Sequence, residues 1–243
     1  MLNILKSYLL RIKRTPAIMV IILCPLIFTG FFIVYLLSAT GLKGVELAYF
    51  FGAYTILASF SVSFFIPMLY ESDKKAGNYA NDLRIGIYRK KLFFVRFICI
   101  FILLMAIEGI AILPFILFLH FYGINIQILD LAVYAMIGSV GLISMVPVYQ
   151  FLSLKLGFSG SILIGVFLTL SGILLGTTEL GSNIWYLLPF VWPIKLIFAY
   201  TSHEVTSHVI LMFLALSVII TVVFIGVFNN WYNRWDGINK MEE

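Results

Sequence analysis

The four residues Gly157-Phe158-Ser159-Gly160 spell a GxSG pattern that can place a serine nucleophile within a membrane, and His120, His203 and His208 are the three bases on offer. Such a serine needs its base within about 3 Å. With the basic loops placed in the cytoplasm, Ser159 and the histidines near 203 and 208 stand a membrane thickness apart, about 30 Å, so a turn of small residues is the better reading. A nucleotide-cradling loop needs GxxxxGK[ST], and no Gly-Lys pair occurs in the chain. HExxH is missing as well, and the histidines fall in or near loops, which argues against zinc. Cys24 and Cys99 lie inside apolar segments and read as two buried small residues rather than a disulfide or thiolate cluster. No catalytic, metal or cofactor site is therefore expected, and the chain is not expected to be an enzyme.

The acids say more. Glu108 is the one carboxylate expected inside an apolar segment, where an ionised group is costly and usually has a reason to be present. It lies roughly 24 Å from the basic end of its span. It could face a substrate path, pair across helices, or be held neutral by a neighbouring Ser or Tyr. Glu179 and Glu204 fall with Glu46 and Asp130 in segments expected outside, where they would suit a cationic ligand. A shortage of Lys and Arg on an outer face arises from topology alone, so the acidic balance carries little weight by itself.

These residues must be positioned by membrane helices. The 243-residue chain is 62% apolar and 11% charged, with a mean hydropathy of +1.08; a soluble domain carries about a quarter charged residues. Apolar runs near or above 18 residues are long enough to cross a hydrocarbon core about 30 Å thick, and the alternation of a transmembrane barrel is missing. The expected spans are 17–38, 47–70, 92–118, 129–150, 159–177 and 209–228. They leave no polar stretch longer than about 20 residues, too short for a separate soluble domain. Small residues at Ser161, Gly165, Thr169, Gly172 and Gly176 mark one face of the fifth span for close helix approach.

Residues 1–15 differ in character from the apolar spans. Leu2, Leu5, Leu9 and Ile12 recur at helical spacing opposite Asn3, Ser7, Arg11 and Arg14, which predicts an amphipathic helix lying on the membrane. A cleavable signal peptide competes, but the apolar run from Ala17 to about Ser38 is too long and ends in no clear cleavage site. Placing the N-terminus in the cytoplasm puts every Lys and Arg except Lys43 and Lys195 inside. Both termini are then cytoplasmic, and the net charge of +5 is topology charge rather than a nucleic-acid footprint.

Two connections stand out. Loop 71–91, cytoplasmic in this topology, has Ser72 and Asp73 as capping residues and Tyr79, Leu83 and Ile87 at i, i+4 and i+8, which predicts a short amphipathic helix parallel to the bilayer. Its apolar stripe must be covered by lipid or by a protein. The outer segment 178–208 is apolar and aromatic but interrupted by Pro189 and Pro193, predicting re-entrant or interfacial short helices, with Trp185 and Trp192 at headgroup depth.

The basic amphipathic start before the first span, the six spans, the loop from Glu71 to Leu83 with its KAGNYANDL core, and the outer Pro189, Trp192 and Pro193 resemble permease subunits of the ABC-2 type. The chain is similar, more narrowly, to the membrane subunits of lantibiotic-immunity transporters, the shorter G-type rather than the E-type, which protect Gram-positive producers from their own peptides. The likeness runs over essentially the whole chain through degenerate motifs. It implies an all-α integral membrane protein in the cell membrane, paired with a second, non-identical permease on a cytoplasmic ABC ATPase dimer. That dimer would hold ATP and Mg, with no cofactor on this chain. Asn78, Tyr79, Asn81, Leu83 and Ile87 become docking candidates, and the cargo a lantibiotic peptide expelled from membrane lipid, with Glu108, Glu179 and Glu204 as substrate-path candidates. A membrane immunity factor acting alone, or an ion-coupled carrier, is the alternative.

Overall fold

The computed structural model describes residues 2–13, 15, 17–42, 44–75, 79 and 88–235. Among them all regular structure is helical: α1 (Leu2–Lys13), α2 (Ala17–Ser38), α3 (Glu46–Lys75), α4 (Arg89–Phe121), α5 (Ile128–Leu142), α6 (Met145–Thr177), α7 (Trp192–Thr201) and α8 (Ser207–Asn233), with 3-10 turns at Thr40–Leu42, Glu179–Gly181 and Trp185–Leu187. Five stretches are long and apolar enough to cross a membrane, with α5 and α6 forming one run of 50 residues, Ile128–Thr177. Their outward faces are apolar, Phe31 being 74% and Leu163 73% exposed. That inversion of the soluble pattern suits hydrocarbon as solvent.

A straight helix of 50 residues would measure about 75 Å, more than twice the hydrocarbon thickness. This one does not run straight. Gly157 takes φ 70 and ψ −163, a left-handed conformation that costs glycine little. Before it, Gln150 donates from Nε2 to the Tyr70 hydroxyl of α3. Beside it lies Lys74 at the end of α3, and beyond it Gly165 abuts Ser63, farther back along the same helix. Both arms therefore lie along α3, and the small-residue turn expected at 157–160 is a reversal of the chain. Ser161, Gly165, Thr169, Gly172 and Gly176 are all buried, as the expected close-packing face requires.

Helix α2 has the expected bounds, whereas α3 and α4 outrun the expected 47–70 and 92–118. In consequence Ser72 and Asp73 do not cap a new helix; they belong to the last turn of α3. Helix α1 lays Leu5, Tyr8, Leu9 and Ile12 on Ala17, Ile21, Phe65, Cys99 and Leu103. Its apolar face thus meets protein, while Lys6 and Ser7 point outward. Cys99 is buried as expected, but Cys24 faces outward from α2. Basic side chains gather at one pole, the basic end, where α1, the end of α3, the start of α4 and the turn of α6 meet; α7 and its flanking turns form the far end.

Candidate functional site

At the basic end the organising residue is Asp73. Its carboxylate, 8% exposed, accepts from Arg96 Nη2 at 2.6 Å and pairs on its other oxygen with Arg11 of α1. Arg96, 4% exposed and about two turns into α4, lies over the rings of Tyr8 and Tyr70, 4.9 and 5.0 Å from their centroids. The Tyr70 hydroxyl in turn accepts from Gln150. One carboxylate thus joins α1, α3 and α4, and the tyrosine beside it adds α6. A cation this far from water requires such pairing, because desolvation outweighs anything a lone charge gains.

Tyr79 joins the same hub. Its backbone N–H donates to the Asp73 carbonyl at 3.4 Å. Its ring, 2% exposed, stands edge-on to Trp235 with centroids 5.4 Å apart. Trp235 stacks on Tyr232, and its carbonyl accepts from Arg89 Nη1 at 2.5 Å. At φ 63 Tyr79 itself is not helical, and its ring turns inward. Asn78, Asn81, Leu83 and Ile87 lie outside the described residues.

The far end is built differently. Glu179 and Glu204 sit on the rim of one cavity of about 460 Å³, with the half-buried Lys195 and the exposed ring of Tyr49. It opens between the start of α3, the end of α6 and α7. Its wall is tight because a Cβ on Gly176 would come within 3.0 Å of Ile194. Behind it the Tyr200 hydroxyl donates to Asp130 at 2.6 Å, while the Tyr134 and Thr201 hydroxyls share a hydrogen bond of 3.0 Å. Desolvation, reinforced by the Asp130 carboxylate, pushes the Tyr200 phenol up to about 12. Trp185 and Trp192 are covered by protein. Both are buried against Phe213, and the Trp192 indole donates to the carbonyls of Trp185 and Tyr186.

Glu108 joins neither end. It is 4% exposed in the middle of α4, and Oε1 lies 2.6 Å from where a Cβ on Gly138 would stand, so the carboxyl occupies space that only glycine leaves open. Two of the three substrate-path candidates therefore share a cavity and the third does not. Ser159 lies at the basic-end reversal, whereas His120 and His208 are exposed at the opposite ends of their helices and His203 in the turn between α7 and α8, so no dyad forms. No cluster of His, Cys, Asp and Glu suited to a metal occurs among the described residues.

Sequence reasoning missed Arg96, Asp73, Lys195 and Trp235. A usable signal existed for the first two: Arg96 falls inside the expected span 92–118, and a cation there calls for an acid at the same depth, which Asp73 just past span two provides. Trp235 carried no comparable signal. No family model, curated protein or solved structure matches the chain.

Proposed function

We propose that this chain is the permease subunit of an ATP-driven exporter of the ABC-2 type, acting in lantibiotic immunity. It would cross the membrane six times, the reversal at Gly157 dividing Ile128–Thr177 into two passes. The basic end and both termini would be cytoplasmic, in accord with positive-inside sorting. A cytoplasmic ATPase dimer holding ATP and Mg would dock on the 71–91 loop, and a second, non-identical permease would complete the pore.

The observation that carries this reading is the clasp on the loop. Tyr79 is fixed to the end of α3 and to Trp235, and Asp73 ties that same helix end to α1 and α4. A force applied to the loop would therefore reach three helices through direct side-chain and backbone contacts. Closure of the ATPase dimer would shift the loop, and the bundle would switch between two arrangements. At the far end Glu179 and Glu204 would receive cationic side chains of an amphipathic peptide leaving the outer leaflet.

Copurification of the tagged chain in mild detergent tests this. An ATPase subunit should come with the wild-type chain and be lost from Leu83→Asp, while membrane insertion is unchanged; a chain that copurifies with no ATPase would defeat the proposal. The buried carboxyl of Glu108 favours one second reading, an ion-coupled carrier. In that case transport would persist without the ATPase and stop in Glu108→Gln.

A further inference from the structure

We propose that the cavity beneath α1 at the basic end is a binding site for one anionic membrane phospholipid. The cavity holds about 490 Å³, within the range of small-ligand sites, and its two halves differ in chemistry. Ile12, Phe64, Met68, Ile100 and Phe158, drawn from α1, α3, α4 and α6, give it an apolar floor. Its polar half is lined by Arg11, Lys75 and Arg96 against Glu71 and Asp73, with Lys75 4.0 Å from Glu71, which leaves a surplus of one positive charge.

Arg96 is committed to Asp73 between two tyrosine rings and supplies positive potential from below. Arg11 and Lys75 remain 48% and 76% exposed, so both heads reach the rim. A free phosphate would leave the floor uncovered, and a neutral hydrocarbon would leave the one surplus positive charge unmatched. A phospholipid with a net negative headgroup meets both, with phosphate at the rim and the first part of a chain over Met68 and Phe158. The location suits such a ligand, since α1 is the helix whose one face is apolar and whose other face is basic. This site does not depend on how transport is driven.

The test uses the full chain, delipidated in neutral detergent and titrated with phosphatidylglycerol, phosphatidylcholine or glycerol 3-phosphate, with bound species counted by native mass spectrometry. One phosphatidylglycerol should be retained at roughly tenfold lower concentration than phosphatidylcholine, and glycerol 3-phosphate should not bind. Lys75→Gln, at an exposed position that leaves folding intact, should weaken the phosphatidylglycerol adduct about fivefold, the effect of one cation near an anionic lipid. Met68→Trp, which fills the floor, should remove the adduct. Equal retention of the two lipids, binding of glycerol 3-phosphate as tight as that of phosphatidylglycerol, or an adduct untouched by Lys75→Gln would each overturn the proposal.

Discussion

The basic end and the far end solve the same problem, holding several helices together, with different forces. At the basic end one carboxylate organises cations from α1 and α4, and a loop residue is clasped on top. At the far end the work falls to aromatic packing: Phe50 stacks on Phe115 with centroids 3.9 Å apart, Phe51 stacks on Tyr134, and Trp185 and Trp192 close on Phe213. Packing of this kind is short-ranged and insensitive to charge. An ionic hub responds steeply to a displacement of any member, because each buried charge is tolerable only while paired. The far end therefore reads as a stiff frame around a cavity, and the basic end as the place where a small push has a large consequence.

The sharpest way to break this contrast is Asp73→Ala. It strands Arg96, and the expected loss is about 3 kcal/mol or more, read as a lower unfolding temperature of the purified protein in detergent. A loss no larger than that of an exposed ion pair would mean the hub is solvated and the contrast false. Next, Phe50→Ala should cost about 3 kcal/mol by leaving a void against Phe115. Its cost should be the same in high and low salt, whereas any part of the Asp73→Ala effect carried by the half-exposed Arg11 should shrink as salt rises.

Gly165→Ala probes the helix that links the two ends. Its new Cβ would overlap Ser63, so overpacking of about 1–3 kcal/mol is expected, and Ser63→Gly in the same chain should restore most of it. The smallest effect belongs to pH. The Tyr200 phenol is raised from 10.0 to about 12, so its contribution to stability is whole below pH 10 and declines as pH climbs from 10 toward 12. Unfolding temperatures followed over that interval should fall less in Tyr200→Phe than in the wild-type chain.

Much of the fold was legible because membrane helices announce themselves by apolar length. Both bounds of α2 follow from the run between Ala17 and Ser38. The buried face of the second arm of α6 follows from its small residues, and the turn at Gly157 from its glycines. The helix ends of α3 and α4 were not legible, since helices continue past the hydrocarbon and polar residues there obey different rules. Ser72 and Asp73 have cap chemistry, yet Asp73 serves Arg96 instead, a pairing 23 residues apart in the chain that local reasoning does not reach. That Trp185 and Trp192 pack inward was not legible either, because their partner Phe213 lies more than 20 residues on in the chain. Of the candidate site, the pairing of Glu179 with Glu204 in one cavity could be anticipated only as a shared side of the membrane.

The reversal at Gly157 makes α3 an axle with two followers. Because each added residue turns a helix by about 100°, inserting a single residue near Ser63 would misalign both arms at once, swinging Tyr70 away from Gln150 and Ser63 away from Gly165 together. Insertions should be tolerated between Ser182 and Ile184, which are exposed, and hardly at all along the axle.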